Sequence, residues 1–397
     1  SETPAYFEIA ENGTFGVFRE VTRDEDALRI ATLPDIDIET AFDGGAAIDD
    51  YIVHHNTAYF TTNEESPLMW SLFAYDPDEG EAREIDRDVA YTDFMRSVGD
   101  ALLYHKVEGA RGQVYSYRNG VSSRLPGQAE SNRDLLSVEE ETRLGDVNGV
   151  LWDNDDDNDD EKPLIVWLHG GPQRQTSVGY HPFLSYAVYD EMLERFVRAG
   201  ARVAKLDYTG STGYGARFQK GLTKKVGVAD VDDVTEAIDD LTDEFETSDV
   251  FLVGNSYGGY LALKTLVEEP RLIDGVAAIA AVTDWDELIG TNRSSIFAPY
   301  FGGIPSTETD RYYDAAEIMD NLDEIPDRTP IVIAYGERDA TVPTSQSRIF
   351  IAGAENDKNL STVVFPDEEH IIRKRSSLDR LCDAIAGAFD LSAEVCS

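Results

Sequence analysis

Cysteine, lysine and long apolar runs are all scarce in this 397-residue chain. The only cysteines are Cys382 and Cys396, too few for a disulfide framework and wrongly spaced for a zinc motif. They are expected to be reduced thiols, and neither a metal nor any other cofactor is expected. No run of 18 or more apolar residues occurs, so a membrane span is not expected. The opening SETPAYFEIA has neither the basic nor the apolar segment of a secretory leader. Basic residues number 34, of which nine are Lys, against 77 acids, giving a formal charge of -43. Such a field repels nucleic acid and anionic lipid, which excludes both as partners. The acids are interspersed with apolar periodic segments, and 42% of residues are hydrophobic, so a folded chain rather than a disordered one is expected. An acidic, Lys-poor surface resembles that of proteins from a high-salt cytoplasm, and that is the expected location.

Residues 1–130 lack helical periodicity and repeat instead. Thr14–Phe18, Ala58–Thr62 and Ala101–His105 are strand-like runs starting 44 and 43 residues apart. A second set, Leu28–Thr32, Leu72–Tyr75 and Val114–Tyr117, starts 44 and 42 apart. A period near 43 made of β pairs and polar turns is the signature of propeller blades. Propellers close with about four to eight blades, so three repeats imply a partial or truncated propeller-like domain with open edges. Open edges favour self-association, so a homo-oligomer is a further expectation.

Residues 131–397 read differently. Leu135–Trp152 is expected to form two strands. The acidic run Asp153–Glu161 superficially resembles a calcium loop, but Asn158 stands where the turn needs Gly and no Glu occupies the twelfth position; it reads as a solvated loop. Continuous apolar strands follow at Leu164–Leu168, Val203–Leu206, Val250–Val253, Val276–Val282, Ile331–Ala334 and Thr362–Phe365. Amphipathic helices lie between or after them, as at Tyr186–Arg198, Val231–Phe245 and Ser377–Phe389. This alternation predicts an α/β domain: a doubly wound, mostly parallel sheet covered on both faces.

The strand Val250–Val253 runs into Gly254-Asn255-Ser256-Tyr257-Gly258-Gly259 and then a helix. A sharp strand-to-helix turn leaves no room for side chains beside a nucleophile, which explains the glycines and makes Ser256 the candidate. Its base must follow it in this sheet class. Of six histidines only His370 does so. The orienting carboxylate is expected to be Asp339, just past strand Ile331–Ala334, with Asp284 the runner-up. For the oxyanion, the donors are the N–H of Tyr257 and, from His169-Gly170-Gly171-Pro172 after strand Leu164–Leu168, the N–H of Gly171. His169 precedes the serine and is read as shaping that loop. The run Gly210-Ser211-Thr212-Gly213-Tyr214-Gly215 lacks the Lys-Ser/Thr ending of a phosphate loop and reads as a turn.

Together these motifs, with Val282-Thr283-Asp284-Trp285 and Gly336-Glu337-Arg338-Asp339 before Val342-Pro343, resemble the prolyl oligopeptidase family and its acylaminoacyl-peptidase-like branch. The resemblance implies a β-propeller ahead of an α/β-hydrolase domain and a Ser-Asp-His triad on Ser256, Asp339 and His370. It implies a serine peptidase acting on short peptides through an acyl-enzyme. A carboxylesterase built on the same machinery is the alternative. Two departures stand out: about three repeats replace the seven or eight blades of the family, and Glu369 rather than Gly precedes His370.

Overall fold

The computed structural model describes residues 7–396 apart from 22–24, 45–46, 91–94, 109–110, 129–136, 155–161, 180, 182, 248, 355–357 and 392–395. The chain divides into two compact units. The first comprises Ser1–Leu135 with Ser177–Phe183 and Thr212–Gln219; the second is Leu136–Thr176, Leu184–Ser211 and Lys220–Ser397.

In the first unit, the described strands pair only antiparallel. Glu8–Ile9, Phe15–Val21, Asp26–Thr32 and Asp37–Phe42 (β1–β4) form one four-stranded meander. Ile48–His54, Thr57–Ser66, Met69–Asp76 and Glu81–Val89 (β5–β8) form a second. Arg96–Val98, Ala101–Glu108, Arg111–Arg118 and Val121–Arg124 (β9–β12) form a third. A single pairing of Lys106 with Val89 joins the second meander to the third. The repeated runs of the sequence fall on β2, β6 and β10 and on β3, β7 and β11, the second and third strands of each meander. The described residues of the β-rich domain thus form three antiparallel meanders of four strands each. Phe15, Leu28, Ile48, Phe60 and Phe73 share one core cluster, and Leu72, Val89, Leu102 and Tyr104 another.

The second unit carries an eight-stranded sheet. Its strands are Ser137–Leu144, Val147–Asn154, Leu164–Leu168, Arg202–Asp207, Val250–Asn255, Gly275–Ile279, Ile331–Gly336 and Leu360–Phe365 (β13–β20). They lie in the order β13-β14-β16-β15-β17-β18-β19-β20. β13 and β14 pair antiparallel, as do β14 and β16; the rest of the ladder is parallel. On β15 successive side chains face opposite sides, and both sides are apolar. Leu164, Val166 and Leu168 join the core that includes helices Ala229–Phe245 and Tyr257–Glu268. Ile165 and Trp167 join the one that includes helices Leu184–Arg198 and Arg375–Ala388. Each fully buried Leu, Ile or Phe contributes roughly 1.5–3 kcal/mol of transfer free energy, so this two-sided burial anchors the strand ends that follow. Because β15 to β20 run parallel, the segments following them emerge at one carboxyl edge. The strand order reverses around β15, the crevice position where open α/β sheets bind ligands.

Two expectations are corrected. Cys382 and Cys396 are not free thiols but a disulfide, with Cα atoms 5.7 Å apart and positions 14 apart in sequence. Cys382 is buried on helix Arg375–Ala388. The chain doubles back after that helix, and the Cys396 carbonyl accepts a 3.1 Å hydrogen bond from Arg195 Nη1. No local motif in the sequence announces such a reversal. The strand expected over Val276–Val282 ends at Ile279, because Ala280 takes φ +49° and leaves the ladder while Ala281 and Val282 remain buried. The acidic run 155–161 lies outside the described residues. Asp153, the first residue of the run, lies within β14, bonded to Lys162 Nζ at 2.8 Å and Arg202 Nε at 2.7 Å.

Candidate active site

Ser256 sits between β17 and helix Tyr257–Glu268 at φ +59°, ψ -118°. An L-residue with positive φ is uncommon, and this is the strained elbow that the glycines permit. A Cβ on Gly258 would lie 1.9 Å from the Leu168 carbonyl oxygen, and one on Gly254 would lie 2.2 Å from that of Gly258. Neither position accepts a side chain. The Ser256 N–H donates to Ile279 O at 2.8 Å and its carbonyl accepts from Tyr260 N at 3.1 Å, so both sides of the turn are fixed. Tyr257 is the first residue of the helix, so its N–H belongs to the helix's unpaired, positive end.

His370 and Asp339 come together. His370 Nδ1 lies 2.7 Å from Asp339 Oδ2, with side-chain exposures of 16% and 1%. The other Asp339 oxygen accepts the N–H groups of Thr341 and Val342 at 2.7 and 2.9 Å. The carboxylate is therefore held from two sides, and an Nδ1–H donated to it leaves Nε2 as the imidazole's proton acceptor. Asp284 is placed elsewhere. Its Oδ1 caps helix Trp285–Leu288 by accepting Glu287 N at 2.8 Å.

The loop after β15 lies against the elbow. A Cβ on Gly170 would be 3.1 Å from Ser256 Cβ, and Gly171 holds φ +133°, a conformation L side chains rarely adopt. His169 is buried, and both its ring nitrogens are committed: Nδ1 to Gly170 O at 2.8 Å, Nε2 to Ser211 Oγ at 2.9 Å with Asp207 Oδ1 at 3.3 Å. It shapes the loop. Ser211, in the Gly-rich turn, is thereby tied to the same loop.

Several groups here had no signal in the sequence. Glu368 is buried and its two oxygens accept Arg373 N and Lys374 N, both at 3.1 Å, which folds the segment carrying His370 into a compact loop. Ile372 N donates to Tyr189 OH at 3.2 Å on the same loop. Asp230 is fully buried and accepts the Tyr257 hydroxyl at 2.6 Å; burial pushes its carboxyl up to about 7. Tyr208, Tyr257 and Tyr260 are buried beside it and held well above the ordinary phenol value, first by burial and then by neighbouring acidic groups. These hydroxyls are thus donors at any working pH.

A family profile described as "Prolyl oligopeptidase family" matches residues 187–386, half of the chain. The chain belongs to the prolyl oligopeptidase family. Among relatives, "Uncharacterized peptidase YuxL" of Bacillus subtilis (strain 168) is 24% identical over 248 residues, covering 59% of this chain and 36% of its own length. The human "Acylamino-acid-releasing enzyme" is 27% identical over 192 residues, covering 46% of this chain and 25% of its own. The matches thus span about a quarter to a third of these curated relatives. The solved structure of uncomplexed Pyrococcus horikoshii acylaminoacyl peptidase superposes with a TM-score of 0.72 at 17% identity, over 98% of this chain and 64% of that one. At that identity the likeness establishes the shared fold, including the β-rich domain ahead of the hydrolase domain. Among the described residues, no helix of this prolyl oligopeptidase family member is long and apolar enough to cross a membrane.

Proposed function

We propose that the chain is a serine peptidase hydrolysing short peptides, including those with acylated N-termini, in a high-salt cytoplasm. The observation that carries this is the 2.7 Å bond from His370 to a buried, doubly supported Asp339 that follows β19, with a serine on a positive-φ elbow following β17 of the same sheet. In the proposed reaction Ser256 Oγ attacks the scissile carbonyl carbon while His370 Nε2 takes the hydroxyl proton. Asp339 orients the imidazole and stabilises the imidazolium. The tetrahedral oxyanion is held by the N–H groups of Tyr257 and Gly171, where fixed dipoles need no reorganisation. Collapse breaks the C–N bond, and the departing amine takes the proton from Nε2. Water then attacks the acyl-Ser256 ester by the same route, releasing the acid and restoring the serine. No cofactor enters these steps.

Family membership and the peptidase names of its relatives favour amides over esters as substrates. The test is a comparison, in molar salt, of aminoacyl and N-acetyl-aminoacyl anilides with short acyl esters, using Ser256→Ala as the control. Anilide turnover that vanishes in the variant is expected. Turnover of esters alone makes the protein a carboxylesterase.

A further inference from the structure

We propose that Tyr208 is a positioning residue that sets the distance between the two oxyanion donors, Tyr257 N–H and Gly171 N–H; this rests on the assignment of Ser256 and those donors above. Tyr208 directly follows β16 and is fully buried. Register places Leu206 opposite Leu168 on β15, so two residues further on Tyr208 is level with the Gly170-Gly171 segment. There it touches both walls of the proposed hole. Its hydroxyl donates to the His169 carbonyl at 2.6 Å, one peptide ahead of Gly170. Its ring stacks against two others: His169 at 4.6 Å between centroids and Tyr257 at 5.9 Å, each inclined by 19°. Tyr208 is therefore a spacer between the loop after β15 and the helix after β17.

Both partner rings are anchored. Tyr257 donates its hydroxyl to Asp230 Oδ2 at 2.6 Å. His169 is fixed by Ser211 and Gly170 O, and Ser211 Oγ in turn donates to the Tyr208 carbonyl at 2.7 Å. Asp207, the neighbour of Tyr208, accepts Thr176 N at 2.7 Å and Thr176 Oγ1 at 3.1 Å, holding the far end of the loop that contains Gly171. Every bond in this set ends on a buried group, where imperfect pairing is costly and the geometry is correspondingly stiff. None of these side chains supplies a proton or a nucleophile to the proposed reaction. What they fix is the separation of two backbone donors, on which stabilisation of a developing oxyanion depends.

Removing one oxyanion donor from such sites costs about 100- to 1,000-fold in kcat. Tyr208→Phe keeps the ring and deletes only the hydroxyl's contacts with His169, to its carbonyl at 2.6 Å and to Nδ1 at 3.4 Å, so the donors are displaced rather than lost. The expected result is a fall in kcat of roughly 10- to 100-fold with KM nearly unchanged, because the missing stabilisation exists only in the transition state. The probe is a peptidyl trifluoromethyl ketone built on the best anilide substrate; Ser256 adds to it and places an oxyanion in the hole. Its affinity should weaken by the same factor as kcat/KM, while the corresponding trifluoromethyl carbinol, which forms no oxyanion, binds as before. Fluorophosphonate titration of active sites corrects for any misfolded fraction. Tyr257→Phe, which frees the other end of the stack from Asp230, should give the same signature. Wild-type kcat in Tyr208→Phe, or equal weakening of ketone and carbinol, overturns the proposal. If the wild-type protein itself neither turns over anilides or esters nor labels at Ser256, the Ser256 assignment fails, and this inference falls with it.

Discussion

Gly336 is where the proposed acid and base segments meet, and replacing it tests whether their contact matters. A Cβ at 336 would lie 2.3 Å from the carbonyl oxygen of Glu369 and 2.4 Å from that of Glu368. Both are backbone atoms of the loop that presents His370, so no flexible side chain can move aside. Restoring an ordinary 3.4 Å contact shifts that loop by about 1 Å. The Asp339 carboxylate is tied to Thr341 and Val342 on its own turn, which is linked to the shifted loop by the Arg338 N–H bond to Glu368 O at 3.0 Å. Gly336→Ala therefore stretches the Asp339–His370 bond. A misplacement of about 1 Å costs on the order of 100-fold in rate, or about 2.7 kcal/mol in the barrier. Overpacking adds about 1–3 kcal/mol of lost stability. The assay is anilide turnover per fluorophosphonate-titrated site, with thermal unfolding measured alongside. Gly387→Ala is the control: nothing lies within 4 Å of its Cβ on helix Arg375–Ala388, so a gain of about 0.5–1 kcal/mol and unchanged turnover are expected. A folded Gly336→Ala protein with wild-type turnover per site refutes the coupling of the two loops.

Three further outcomes follow from charge, covalent linkage and burial. With a formal charge of -43, repulsion reaches over about 10 Å at 0.1 M salt but only about 3 Å at 1 M, so the melting temperature should fall on desalting; an unchanged value contradicts the high-salt reading. Cys396→Ser opens a disulfide between positions 14 apart and should cost up to about 3 kcal/mol, read as a lower melting temperature; equal melting of the variant and the wild type refutes a stabilising role. The raised value of Asp230, about 7 against 3.8 in the unfolded chain, means the folded state holds a proton that the unfolded state has released. Its burial thus costs nothing below pH 3.8 and destabilises increasingly as pH rises to about 7. Asp230→Asn should flatten that decline; a parallel pH–stability curve for the variant shows that Asp230 titrates normally.

Much of the second unit was legible because buried parallel strands are continuous apolar runs and buried helices are amphipathic. β15 was readable to the residue, and helix Leu184–Arg198 to within two residues at its start. β18 was overread because Ala280–Val282 stay buried after leaving the sheet, and apolarity alone cannot mark a change of backbone direction. The elbow at Ser256 was visible because its glycines answer a steric demand of the backbone. Asp339 and Asp284 both follow strand ends, and the sequence favoured Asp339 with Asp284 as runner-up; in the structure Asp339 meets His370 and Asp284 caps a helix. Glu368, Asp230 and Tyr208 were invisible for a different reason. Their partners are backbone groups or residues far along the chain, and nothing in the local pattern distinguishes a buried carboxylate from a solvated one in so acidic a sequence. The disulfide escaped for the same cause, since it depends on a chain reversal after residue 388.

The central claim is that Ser256 is an activated nucleophile, and covalent labelling tests it most directly. Wild-type protein, Ser256→Ala and His370→Ala are treated with a fluorophosphonate in molar salt, and the adduct is mapped by peptide mass. The account predicts one adduct per chain, on Ser256, formed at a rate sharply reduced in His370→Ala and absent from Ser256→Ala. No adduct on the wild-type protein, or an adduct on another residue that persists in Ser256→Ala, contradicts it.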